Sequence, residues 1–177
     1  MTSSTQRVFF ALWPDALARA QVASLAREVA LESGGRPTPP ERIHLTLAFI
    51  GEQSAIRVDS LRQLGGLVRA RDFELALNRI GGIPRTGVAW LGASTAQPEL
   101  ATLHAAVTEA LRSRGFPIET RQYAPHLTLA RHATTLIERT LPQSISWRAT
   151  AFSLVVSALG AGGAEYRTIA AWPLVSL

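Results

Sequence analysis

The sequence contains neither cysteine nor lysine. Without cysteine there is no disulfide, no thiolate metal site and no cysteine nucleophile. Without lysine, all 18 basic residues are arginine, set against 13 acids for a net charge of +5. The pI of about 11.1 overstates that charge, because the guanidinium titrates so high. Arginine is the better fork for phosphate, so a polyanionic partner fits, although a genome-wide preference for arginine gives the same bias. No apolar run reaches the roughly 18 residues of a membrane span, and the start, Met1 to Gln6, is short, polar and unlike a signal peptide. The reading is a cytoplasmic protein with no membrane association. At 177 residues, 47% hydrophobic and 18% charged, the chain can bury a real core.

Histidine is scarce too, yet two of the four open the same pentapeptide. His44-Leu45-Thr46-Leu47-Ala48 returns 82 residues later as His126-Leu127-Thr128-Leu129-Ala130. Threonine and the flanking apolar residues favour strand, and side chains alternate along a strand. His, Thr and the Ala after them then share one face in each copy, and the two leucines take the core face. A lone H-x-T is a satisfied or exposed strand histidine; duplication turns it into a candidate site.

The rest of the chain reads as support. Arg7 to Leu12 is a buried first strand, closed by Trp13-Pro14. Asp15 caps a helix to Ser33 whose apolar stripe is Leu17, Ala20, Leu25 and Val29, and Gly34-Gly35 stops it. Pro37, Pro39 and Pro40 stiffen the approach to the first histidine strand, which runs on through Phe49-Ile50 to Gly51. A weaker helix spans Ala55 to Ala70 with Leu61, Leu64 and Val68 inward. A strand over Phe73–Asn78 turns through Gly81-Gly82-Ile83-Pro84 into a partner over Gly87–Gly92. Pro98 opens a helix to Arg114 with Leu100, Leu103, Val107 and Leu111 inward, and Gly115 ends it. His104 sits beside that stripe and reads as structural; His132, at the end of the second histidine strand, is not read as a ligand. Trp147–Leu159 and Glu165–Leu174 are the last two strands, separated by the Gly160–Gly163 turn. The order β-α-β-α-β-β-α-β-β-β, with no linker or low-complexity tract, indicates α+β architecture on antiparallel sheet in one domain over residues 1–177.

Two H-x-T motifs about 80 residues apart, each approached through a proline-containing segment, resemble the two-histidine (2H) phosphoesterase superfamily, and within it the RNA 2',3'-cyclic phosphodiesterases. The likeness extends to Val8-Phe9-Phe10-Ala11-Leu12, Pro39-Pro40, the H-L-T-L-A-R of His126 to Arg131, and the closing Tyr166 with Trp172-Pro173-Leu174. It implies a bilobal, pseudo-twofold fold with a cleft between two antiparallel sheets, helices packed outside and one H-x-T from each lobe. It also implies hydrolysis of RNA ends or nucleotides bearing 2',3'-cyclic phosphate to a 2'-phosphomonoester, with no metal and no cofactor; a monomer is expected, although the sequence itself carries no signal of oligomeric state. By the same resemblance His44 is the proton donor to the leaving 3' oxygen and His126 the proton acceptor from water.

The chemistry accounts for these residue types. In-line displacement at phosphorus needs one group to remove a proton and another to supply one, each worth about 10²- to 10⁴-fold. A threonine hydroxyl two positions along the face donates to a phosphate oxygen without adding a competing base. Thr46 and Thr128 are therefore phosphate-binding candidates. Arg131 is the third by the resemblance, yet strand parity sets it with Leu127 and Leu129, so it must curl round at the strand end; its counterpart in the first copy is Phe49. Three alternatives remain. The same cleft could make or cleave 2'-5' linkages, or bind RNA ends without catalysis. A metal hydrolase is the poorest, because four histidines without H-x-H or H-E-x-x-H supply no recognisable ligand set.

Overall fold

In a computed structural model, which describes residues 5–161 and 163–175, nine strands and three helices succeed one another in the order β1, α1, β2, β3, α2, β4, β5, α3, β6, β7, β8, β9. Strands β3 (Leu45–Ser54) and β6 (Leu127–Arg131) carry the repeated motif, each starting one residue after its histidine. They lie side by side at the centre, touching in register only at Leu45 and Leu127. Outward from β3 run β1 (Thr5–Leu12), β8 (Ala151–Gly160) and β9 (Gly163–Pro173). Outward from β6 run β5 (Val88–Gly92), β4 (Phe73–Ile83) and β7 (Arg139–Ala149). Every named strand pair is antiparallel. The resemblance implied two facing sheets; instead two four-stranded halves are joined at the motifs into one continuous sheet, because β3 and β6 pair at Leu45 and Leu127, and the pseudo-twofold arrangement it implied is kept. A two-residue strand, β2 (Arg36–Pro37), pairs with the end of β6.

The leucines of both motifs, Leu45, Leu47, Leu127 and Leu129, are buried in one continuous core with the inward faces of the helices. Helix α1 (Ala16–Ser33) begins at Asp15, whose carboxylate accepts from the Ala18 N–H at 2.8 Å, and ends at Gly34 with φ 69°. It follows β1 yet packs on β6, in the other half. Its buried stripe is Ala18, Val22, Leu25, Ala26, Val29 and Ser33; Ala20 is exposed and Leu17 is 71% exposed, so the expected stripe was rotated. Alanines let the helix sit close to the sheet, and size alone misled the reading at Leu17. Helix α3 (Pro98–Ser113) buries Leu100, Leu103, Val107 and Leu111 as expected.

Three other expectations need correction. Helix α2 (Ala55–Gly65) stops at the glycines rather than at Ala70, although Val68 beyond it is still buried. A Cβ on Gly65 would lie 2.4 Å from the Trp172 ring, so that glycine serves close packing as well as the helix end. Gly81 and Gly82 belong to β4 rather than to its turn, which lies at Pro84–Gly87; a Cβ on Gly81 would meet the Trp90 ring at 2.3 Å. The span read as one strand from Trp147 to Leu159 is two, broken at Thr150, and β7 starts back at Arg139. Strand β7 is a sheet edge, so it tolerates Pro142 and needs no apolar alternation over its first half. Residue 162 of the Gly160–Gly163 turn, and residues 1–4 of the polar start, lie outside the described residues.

Candidate active site

The histidines sit one residue ahead of their strands, and each is pinned in the same way. His44 Nδ1 lies 2.7 Å from the Arg42 carbonyl oxygen, and His126 Nδ1 lies 2.7 Å from that of Ala124. A carbonyl only accepts, so Nδ1 carries the proton in both rings and Nε2 is left to exchange protons with a ligand. His44, Thr46, His126, Thr128 and Arg131 all line one cleft of about 820 Å³. Neither threonine hydroxyl has a partner among the described residues. No cluster of His, Asp and Glu suited to a metal ion occurs among them either.

Arg131 reaches the cleft by a device the sequence did not disclose. Trp90 and Ala89 of β5 pair with Thr128 and Ala130, leaving Leu129 as an extra residue in β6. That bulge reverses the alternation, turning Ala130 into the core and Arg131 outward to the cleft. The first copy does the same, since Ala11 and Phe10 of β1 pair with Thr46 and Ala48 and leave Leu47 extra. Phe49, in the place of Arg131, thereby comes to line the cleft, and is 48% exposed. The backbone is symmetric and the charge is not.

Both bulge carbonyls are held. The Leu129 oxygen accepts from the Thr38 N–H at 2.8 Å, and the Leu47 oxygen from His104 Nδ1 at 2.9 Å. The His104 ring stacks on Tyr123 with centroids 3.7 Å apart, and the Tyr123 hydroxyl donates to the Thr46 carbonyl at 3.1 Å. Burial pushes the Tyr123 phenol well above its ordinary range, so it remains a donor. His104 is structural as read, but its work is to hold the strand bearing Thr46. Tyr123 was missed, because a lone tyrosine ahead of Pro125 gives no sequence signal.

The two histidines differ in surroundings. His44 stands among Phe9, Trp13 and Tyr166, with ring centroids 4.9, 5.5 and 5.1 Å away. Trp90 is 6.3 Å from His126. Burial holds the His44 pKa below the ordinary histidine value, the Arg42 carbonyl works against that, and the charges of Arg131 and His126 lower it further. In the free protein His44 therefore favours the neutral imidazole, whereas the proton-donor role that the resemblance gives it needs imidazolium. A phosphate anion between the histidines reverses the local charge and favours imidazolium. The basic limb of kcat/KM, which reports the free enzyme, is accordingly expected below the ordinary histidine range, and that of kcat at higher pH. NMR titration of the His44 ring should show its pKa rising when a 2'-phosphomonoester is added; a pKa that stays lowered with the ligand bound would contradict the proton-donor role.

Paired H-x-T strands under one cleft, joined by a pseudo-twofold sheet, define a two-histidine phosphoesterase. The chain belongs to the 2'-5' RNA ligase superfamily, whose sequence model matches residues 13–161. It is similar to the RNA 2',3'-cyclic phosphodiesterase of Escherichia coli, 34% identical with 97% of this chain and 98% of the relative covered. It is also similar to the Thermus thermophilus enzyme of the same name, 28% identical over 92% of this chain and 87% of that one. Among solved structures, E. coli LigT complexed with 3'-AMP superposes with a TM-score of 0.88, 31% identity, and 97% of this chain and 99% of that one covered.

Proposed function

We propose that this protein hydrolyses RNA 2',3'-cyclic phosphate ends to 2'-phosphomonoesters by paired histidine acid–base catalysis. The observation that carries the reading is the matched pinning of His44 and His126, which leaves two Nε2 atoms for one cleft beside two unengaged threonine hydroxyls. The relatives' names support the substrate. Water attacks phosphorus and loses a proton to His126; the P–O3' bond breaks, and His44 gives its proton to O3'. Thr46, Thr128 and Arg131 hold the phosphate oxygens as charge develops. The histidines exchange their protons with solvent before the next turnover. We take residues 1–177 as one bilobal domain that acts as a cytoplasmic monomer without cofactor. No helix among the described residues is long and apolar enough to cross a membrane.

Product analysis with an oligonucleotide ending in 2',3'-cyclic phosphate tests this directly. A 2'-phosphate end is expected, and turnover should survive exhaustive chelation because side chains fill both proton-transfer roles. A 3'-phosphate product, or activity lost on chelation and restored by a divalent ion, overturns the reading. The family's description favours one second reading, 2'-5' ligation, in which a ribose 5'-hydroxyl takes the place of water and O3' leaves as before. Cleavage of a 2'-5' dimer to cyclic phosphate and 5'-hydroxyl, at a rate comparable with hydrolysis, would mark that activity.

A further inference from the structure

The histidines, threonines and Arg131 occupy only part of the cleft. Arg7 and Arg36 also line it, and no aspartate or glutamate does among the described residues. Arg36 and Arg131 are direct cross-strand partners in the β2–β6 pair, which brings their Cβ atoms to about 5 Å. Like charges placed so destabilise a sheet, and neither is offset by an ion pair to a described carboxylate. Arg7, from the other half, lies over the Phe49 ring at 5.9 Å, beside the position that pseudo-symmetry equates with Arg131. Elsewhere the same side chain meets acids: Arg62 pairs with Asp59, Arg148 with Asp72, and Arg139 with Glu28 and Glu32. A general preference for arginine accounts for the number of guanidiniums, but not for Arg36 and Arg131 set side by side on the wall of one cavity whose lining carries no acid among the described residues.

A cyclic phosphodiester carries one negative charge, which Arg131 and the two hydroxyls already meet. The cleft volume of about 820 Å³ lies towards the upper end for small-molecule sites, more than a cyclic phosphate and its ribose fill. We propose that Arg36 and Arg7 form a second phosphate subsite, which takes a phosphodiester of the same RNA strand on the 5' side of the reacting nucleotide. The preferred substrate is then an RNA chain end rather than a cyclic mononucleotide. This inference rests on the proposed hydrolysis of RNA ends and adds the residues that grip the chain beyond the reacting phosphate.

The test compares kcat/KM for a nucleoside 2',3'-cyclic phosphate, the same nucleotide with a 5'-phosphate, and a tetranucleotide ending in cyclic phosphate, each across a salt series. The wild type should favour the tetranucleotide over the unphosphorylated mononucleotide by about tenfold or more at low salt, as expected for added phosphate contacts. Arg36→Gln and Arg7→Gln should each lower kcat/KM on the tetranucleotide several-fold more than on the mononucleotide. Each should also flatten the tetranucleotide's log–log salt slope by about 0.7, the loss of one phosphate contact to a single strand. Arg36→Lys should keep that slope, and thermal melting at the wild-type temperature would show that the variants are folded. Equal losses on all three substrates, or an unchanged preference and slope in both Gln variants, would overturn the subsite. Full preference earned by the 5'-phosphate alone would support the subsite but overturn the preference for a longer chain. Absence of turnover of all three substrates by the wild type would instead count against the hydrolytic reading itself.

Discussion

His44→Ala and His126→Ala are each expected to lower kcat by at least about 10²- to 10⁴-fold, the usual worth of one positioned proton-transfer group. A product-like 2'-phosphate should still bind, because Thr46, Thr128 and Arg131 line the same cleft and remain to hold it. The double variant should be little worse than either single one, since the two act together in one displacement. The separate roles are distinguished by the leaving group. A substrate whose leaving oxygen is more acidic than a ribose hydroxyl needs less protonation, so it should partly rescue His44→Ala and not His126→Ala. Rescue of His126→Ala alone would exchange the roles, an outcome to which the lowered pKa of His44 gives physical weight. Substantial hydrolysis by the double variant would remove the pair from the mechanism.

Thr46→Val and Thr128→Val should each reduce kcat by roughly 10- to 1,000-fold with the fold retained. Valine keeps size and strand propensity but deletes one of the donors to developing phosphate charge. Neither hydroxyl supports another described residue, so the loss should fall on turnover rather than on stability. Circular dichroism with kcat per folded molecule separates the two cases: unfolding with intact specific activity would make the threonines structural. Thr128 shares its half of the sheet with Arg131 and Thr46 shares its own with Phe49, so Thr46→Val is expected to be the more damaging of the two.

Much of this was legible in the residues. The pentapeptide repeat, the apolar spacing of α3, the Asp15 cap and the Gly34 stop are local signals, and each is borne out because neighbours within a turn or a strand decide them. What failed was set by distant partners. Leu17 is apolar but faces away from the sheet, because α1 crosses to the other half and packs there through alanines. The first part of β7 carries no alternation to read, being an edge whose register β4 imposes.

Arg131 marks the boundary between the two kinds of information most sharply. By itself the sequence determined that two histidines and two threonines stand on the same face of two matching strands, since their two-residue spacing is a property of any extended chain. Only the tertiary structure decided that the fifth group joins them. Bulges at Leu47 and Leu129 arise from pairing with β1 and β5, and their carbonyls are held by His104 and Thr38 from outside the motifs. Strand register is a contact between segments, and one extra residue in it reverses every side chain that follows. That reversal turned Arg131 and Phe49 to the cleft, and packing among Phe9, Trp13 and Tyr166 gave two sequence-identical motifs histidines of unequal character.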